Sequence, residues 1–261
     1  MSATDLPLVA SLTLSTLLIG IVIGFIGAGG AGVVVALLTS VYHLPIHQAI
    51  GTALATMCFV TLAGSFSHLR EGNVAPKVGL VVGVAGAVGA VAGARLSLDV
   101  PAARLQLLAG LGLWGLAALV WVRTRLAPSL ARESAWSGEE PRPPRDWAAS
   151  VGLGVSGGAA AAFLGVGMAP FIQLGYLAVL RLPLRQTVGT TMLTLVFISA
   201  TGSLALAQAG SVSAPHLVGA TLGLASGAFL GARFTRRAPR DLLRGAVVLV
   251  PFLAGAMLLF L

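Results

Sequence analysis

The chain has 261 residues, of which 57% are hydrophobic and only 9% are charged, and its mean hydropathy is +0.96. This composition excludes a water-soluble globular fold, because such a chain cannot present enough polar surface to water. The net charge of +8 comes mostly from arginines in short polar stretches between apolar runs. We interpret these arginines as signals for membrane orientation, so we expect no nucleic-acid partner.

Apolar stretches of roughly 18 residues or more recur along the chain, which is long enough for a helix to cross a bilayer. The sequence therefore predicts an all-α polytopic membrane protein, since a β-barrel would show shorter alternating segments. The first ten residues, MSATDLPLVA, contain no basic segment, so we treat the first apolar run as structural. The single cysteine, Cys58, excludes an internal disulfide.

The chain repeats itself: a shift of 138 residues places 25–101 on 163–239 without a gap. The most informative identical pairs are Leu44-Pro45 with Leu182-Pro183, Gln48 with Gln186, Gly51-Thr52 with Gly189-Thr190, and Thr56 with Thr194. We predict an N-terminal transmembrane repeat at 1–122, a polar linker at 123–146 and a C-terminal transmembrane repeat at 147–261. Duplicated hydrophobic units are typical of transporters, with the substrate site between the copies.

Each half begins with a long apolar run, 8–38 or 147–180, that glycines or proline interrupt near its middle. These residues disfavour a continuous helix, so each run is either one bent helix or a helix–turn–helix hairpin. Three plainer spans follow in each half, at about 45–69, 78–95 and 104–122, and at about 183–208, 216–235 and 242–261. The sequence thus predicts eight to ten membrane segments.

Positive charge decides between the bent helix and the hairpin. If each broken run crossed the membrane once, the 16 Lys and Arg residues would divide nine against seven. If each run is a hairpin, the repeats become inverted, and only Arg95 and Arg104 lie opposite the other fourteen. The positive-inside rule favours this second arrangement. We therefore predict inverted repeats in the cell (inner) membrane, with a cytoplasmic linker and both termini outside.

The glycine-rich hairpin tips are the first candidate binding residues. Free backbone N–H groups at the start of a half-helix attract an anion without a buried cation. Short glycine-interrupted segments at matching places in two repeats are also typical of transport sites. The alternative is that these small residues only allow close helix packing. The predicted tip residues are Gly27, Gly29 and Gly30 in the first repeat and Gly165 and Gly167 in the second.

A polar stripe on the next helix of each repeat is the second candidate. Its residues are spaced by four and share one helical face: Gln48, Thr52 and Thr56, and Gln186, Thr190 and Thr194. We predict that Gln48, Thr52, Gln186 and Thr190 bind the substrate together with the tips. The alternative is hydrogen bonding between helices, which is common for Gln and Thr in membranes.

Other chemistry has less support in the sequence. No acidic or basic residue lies clearly within a span, and we expect no metal ion and no cofactor. His47 and His68 are candidates for proton coupling, with a plain interfacial position as the alternative. Ser156, in Gly-Val-Ser-Gly, and His216 match a serine-protease pattern, but the string is short, so we expect no enzyme. Proton coupling and homo-oligomer formation are left open.

The two tips and the segments after them resemble the TauE/SafE family of sulfite and organosulfonate exporters. The matching strings are Gly27-Ala-Gly-Gly30 with Ala49-Ile-Gly-Thr52, and Gly165-Val-Gly167 with Thr187-Val-Gly-Thr190. Val33-Val-Val35, Met168 and Thr187 stand where the family pattern has a proline, a glycine and an alanine. The resemblance implies export of a small sulfur-containing anion by alternating access. An anion channel and an intramembrane hydrolase are the alternatives.

Overall fold

The structure is a computed structural model that describes residues 5–26, 30–135, 147–235 and 240–260. Within these ranges the chain forms α-helices, one π-helical segment (Gly175–Val179) and no strand, which confirms the all-α fold. The helices are α1 (Asp5–Ile26), α2 (Ala31–Ser40), α3 (Ile46–Arg70), α4 (Pro76–Leu98), α5 (Ala102–Ala135), α6 (Trp147–Leu164), α7 (Ala169–Leu174), α8 (Leu184–Gln208), α9 (Ala214–Thr235) and α10 (Arg240–Phe260). The π-helical segment directly continues α7.

Within the described ranges, the helices that are long and apolar enough to cross a membrane are α3, α4, α6, most of α8 and the part Ala102–Val122 of α5. They include four of the six plainer spans, while the predicted spans 216–235 and 242–261 correspond to shorter apolar helices, Ala214–Leu230 and Val248–Phe260. Helix α5 differs from the prediction because it continues to Ala135, through the first part of the predicted linker. Eight of the residues 123–135 are Arg, Leu or Ala, which are strong helix formers, and the helix continues in spite of Pro128. The rest of the predicted linker, 136–146, lies outside the described residues.

Both broken runs fold back as hairpins. Ser15 Oγ, in the middle of α1, lies 3.0 Å from the hydroxyl of Tyr42, which follows α2. One continuous helix would separate these two residues by about 40 Å. In the second repeat, Gly175 packs against the side chain of Leu153, in the first half of α6. These contacts confirm the hairpin and exclude the single bent helix.

The two repeats are inverted relative to each other. Helices α3 and α8 are equivalent in the repeat, and they cross in antiparallel directions. The contacts that show this are Gly64 with Met192 and Leu54 with Gly202. The equivalent helices α5 and α10 are antiparallel as well, with hydrogen bonds from Gln106 Nε2 to the Leu258 carbonyl and from Trp114 Nε1 to the Phe252 carbonyl. The predicted inversion is therefore confirmed, because equivalent helices of parallel repeats would run in the same direction.

Glycines bring helices of different repeats into backbone contact. A Cβ atom on Gly89 of α4 would overlap the Val155 carbonyl of α6. The symmetric pair is α1 with α9, where a Cβ atom on Gly227 would overlap the Leu17 carbonyl. In lipid the hydrophobic effect between helices is weak, and the van der Waals contacts of such close packing stabilise the helix pair instead. The pairs α1–α9 and α4–α6 therefore join the repeats.

The half-helices α2 and α7 lie between two groups of helices. One group, which we call the six-helix frame, comprises α1, α3, α4, α6, α8 and α9, and the other is the α5–α10 pair. Helix α2 packs against α3 of the frame and against α10, while α7 packs against α8 of the frame and against α5. The two half-helices are thereby enclosed by protein, and most of their residues are buried. Large apolar side chains such as Leu18, Val88 and Phe229 cover the outer surface.

We predict that Gly89→Ala destabilises the protein by roughly 1–3 kcal/mol, because the new methyl group must push α6 away from α4. Thermal unfolding of the purified protein in detergent measures this change. The matched control is Gly152→Ala on α6, where no atom lies within 4 Å of the new Cβ. Equal unfolding temperatures for the two variants would contradict the tight α4–α6 contact.

Candidate functional site

The start of α2 meets the second hairpin break inside the protein. Gly32, in the first turn of α2, lies against the side chain of Val166, which belongs to the second tip. A Cβ atom on Gly32 would lie 3.4 Å from Val166 Cγ1 and would overlap the side chain of Leu113 on α5. The starts of the two half-helices are therefore close together, beside α5. This is the arrangement that the repeat predicts for a site between the two copies.

Both half-helices begin in buried positions without a side-chain cap. Helix α2 starts after Gly30 and α7 starts after Met168, and neither N-terminus has a side-chain hydrogen bond. Gly30 and Ala169 are buried. The first N–H groups of a helix have no partner within the helix, and lipid cannot supply one. These are N–H groups that the helices themselves leave without a partner, and α7 has fewer of them because Pro170 carries no N–H.

The predicted tip glycines are only partly described. Gly27 and Gly29 lie outside the described residues, whereas Gly30, Gly165 and Gly167 are buried. Gly165 has a φ of +67°, a conformation that side chains with a Cβ rarely adopt, and it packs against Ile50 of α3. Glycine is required here for two reasons: the turn needs a positive φ, and a Cβ atom would overlap the side chain of Ile50 on α3.

Thr52 and Thr190 have partners in the opposite repeat. Thr52 Oγ1 accepts a hydrogen bond of 3.0 Å from the backbone N–H of Ser213, just before α9. Thr190 Oγ1 accepts the equivalent bond of 2.9 Å from the N–H of Ala75, just before α4. Each threonine thus satisfies a backbone donor that precedes a helix. This is the inter-helix hydrogen bonding that the sequence offered as the alternative to substrate binding.

The glycines before these threonines complete the contact. A Cβ atom on Gly51 would overlap the carbonyl oxygen of Ser211, and one on Gly189 would overlap that of Asn73. We call each glycine with its threonine a Gly-Thr contact. The glycine allows the loop of the opposite repeat to approach closely, and the threonine accepts a hydrogen bond from that loop. A hydroxyl accepts and donates at once, so Thr52 can still donate its proton elsewhere.

The structure does not bring the two glutamines together. Gln48 and Gln186 lie in the first turns of α3 and α8, which are antiparallel and cross near their middles. At 1.5 Å per residue, the two glutamines are about 30 Å apart, so a small anion cannot contact both at once. The amide oxygen of Gln186 is buried and has no hydrogen-bond partner. It is therefore a polar group that a passing ligand or water can satisfy.

The two candidate histidines differ in their surroundings. His47 Nε2 lies 3.1 Å from the carbonyl oxygens of both Ser97 and Val100, so it ties α3 to the end of α4. His68 Nδ1 is buried without a hydrogen-bond partner and lies 3.9 Å from a carboxylate oxygen of Glu71. His47 thus has a structural role, whereas His68 keeps a ring nitrogen available.

The hydrolase pattern is not assembled. Ser156 Oγ donates to the Gly152 carbonyl within its own helix, at 2.7 Å. His216 Nδ1 instead lies 2.7 Å from Ser213 Oγ, at the start of α9. A catalytic serine must lie within hydrogen-bond reach of its base. Ser156 and His216 each bond to another group instead, so they do not form a hydrolytic pair. The described residues also contain no group of metal-ligating side chains.

Two buried polar residues of the second half-helix were missed by the sequence reasoning. Tyr176 is fully buried, and its hydroxyl is hydrogen-bonded to Thr194 Oγ1 of α8, which also donates to the Gly79 carbonyl. Gln173 is only 2% exposed. The available signal was that these are the only polar side chains in the run 169–180. It was missed because neither residue has a match in the first repeat.

Comparison with known proteins agrees with this architecture. The family model described as sulfite exporter TauE/SafE matches residues 12–258. The chain is 41% identical over 245 residues to the probable membrane transporter protein YdhB of Bacillus subtilis (strain 168), which covers 93% of this chain and 97% of that protein. No solved structure matches the chain. The chain therefore belongs to the TauE/SafE family of membrane transporters.

Proposed function

We propose that this transporter exports a small sulfur-containing anion, such as sulfite or a sulfonate, by alternating access. The observation that carries the proposal is the meeting of two buried, uncapped half-helix starts near Gly32 and Val166. Helix N-termini attract anions through their free N–H groups and their dipole. Such a site holds an anion without a fixed cation, so release costs less than from a buried salt bridge.

The substrate-binding residues form a path through the membrane in this proposal. The tip backbone, from Gly27, Gly29 and Gly30 and from Gly165 and Gly167, binds the anion at the centre. Gln48 and Gln186 contact it in turn, one near each end of the path, because they are too far apart to act together. Thr52 and Thr190 hold the loops beside this path and keep a hydroxyl proton to donate.

The inverted repeats support alternating access rather than an open channel. Two equivalent halves in opposite orientations can exchange conformations, so that the centre opens to one side and then to the other. The described residues around the meeting point, Gly30, Gly32, Val166 and Gly167, are all buried, which supports a carrier with an enclosed site rather than an open pore. For proton coupling we propose His68, because its Nδ1 is available and lies beside Glu71.

We predict saturable counterflow of labelled sulfite, thiosulfate or a sulfonate in proteoliposomes that contain the purified protein. Vesicles preloaded with the unlabelled anion should accumulate the labelled one transiently, because a carrier exchanges the two across the membrane. Empty vesicles are the control. A flux that rises linearly with anion concentration and shows no accumulation would favour the anion channel instead.

We predict that Gln48→Ala and Gln186→Ala weaken anion binding by roughly 1–3 kcal/mol, through loss of a hydrogen bond to a charged group. The measurement is the concentration dependence of counterflow, with folded protein quantified by size-exclusion chromatography. Thr52→Val and Thr190→Val should instead lower the amount of folded protein, because the N–H groups of Ser213 and Ala75 lose their acceptors. Normal transport in both glutamine variants would place the anion path elsewhere.

We propose that the linker is cytoplasmic and that both termini are outside, from the division of positive charges. A cysteine placed at Ser137 should react with a membrane-impermeant reagent only after the cells are opened, in a background in which Cys58 is replaced by Ala. A cysteine at Ser2 should react in intact cells. The reverse labelling pattern would overturn this orientation.

A further inference from the structure

We propose that Gln173 contacts the transported anion and donates a hydrogen bond to it from Nε2. The residue lies in α7, one turn after the start of the half-helix, about 6 Å along its axis. This inference rests on the proposed function and adds a side chain to a site otherwise formed by backbone.

Gln173 is a buried amide without a partner. Its side chain is 2% exposed, and neither amide atom takes part in any hydrogen bond of the described residues. A buried polar group that lacks a partner is destabilising, so such a group in a native structure needs an explanation.

The direction of the side chain follows from its neighbours on α7. Ile172 packs against Gly157 of α6, whereas Tyr176 is hydrogen-bonded to Thr194 of α8. Residues three apart share a helical face, so Gln173 lies on the same side as Tyr176, toward α8. Because α8 belongs to the six-helix frame, this side of α7 faces the frame. The amide therefore lies on the frame side of α7, one turn from the start of the half-helix, and is buried away from lipid.

Gln173 also makes the site unequal in the two repeats. The equivalent position in α2 is Val35, which is fully buried and apolar. An amide needed only for packing would be replaceable by such a residue without loss. A hydrogen-bond donor on one half-helix alone would fix the orientation of an oxyanion relative to the two tips. Backbone N–H groups occur at both half-helix starts, so they alone do not distinguish the two orientations of the anion.

The test compares thermal unfolding of the purified protein with and without sulfite, thiosulfate or methanesulfonate. We expect Gln173→Leu to unfold at a higher temperature than the wild type without anion, because an unpaired buried amide is removed. We expect it to lose the stabilisation by anion, with an affinity at least about tenfold weaker, since a hydrogen bond to a charged group is lost. The matched control is Gln106→Leu, whose amide donates to the Leu258 carbonyl at 2.9 Å and whose loss should lower the unfolding temperature.

The outcomes separate this inference from the proposed function. If one of the three anions stabilises the wild type and stabilises Gln173→Leu equally, the role of Gln173 is wrong while the proposed function stands. If Gln173→Leu unfolds at a lower temperature, as the Gln106 variant should, the amide is structural and the inference is wrong. If none of the anions stabilises the wild type and none is transported, both proposals fall together.

Discussion

Hydrocarbon offers no hydrogen-bond partner to the peptide backbone, and the whole architecture follows from this constraint. Helices satisfy their own N–H and C=O groups, except at their ends and at breaks. The half-helices α2 and α7, which follow the two breaks, therefore lie between the six-helix frame and the α5–α10 pair. Their buried starts carry N–H groups that the helices themselves leave without a partner, which is the physical basis of the proposed anion site.

The frame that encloses the breaks depends on how closely its helices approach. Glycines such as Gly89 and Gly227 let backbones of opposite repeats touch, and dispersion contacts then replace the hydrophobic effect. The loops that precede α4 and α9 are held by Thr190 and Thr52, which accept the N–H groups that a helix start leaves unpaired. The Gly-Thr contacts consequently explain the repeated Gly-Thr pairs without any ligand.

Much of the fold could be predicted from sequence because the signals add up along the chain. Apolar length located the spans, and the charge count required inverted hairpins. The role of Thr52 could not be predicted, because its partner lies 161 residues away and a polar helical face looks the same whether it binds a loop or a ligand. Gln173 was missed because reliance on matched positions hides residues that occur in one repeat only.

Two polar residues of the second half-helix have apolar residues at the matching positions of the first. Gln173 and Tyr176 of the second repeat correspond to Val35 and Leu38 of the first, whereas the Gly-Thr contacts are the same in both. In the proposed alternating-access cycle, a symmetric frame would give the inward-open and outward-open states similar packing. An asymmetric interior would give the two states different contacts with the proposed anion, and a ligand favours one state only through such a difference in affinity. In this proposal the symmetric frame permits both states, and the asymmetric half-helices let the anion favour one of them.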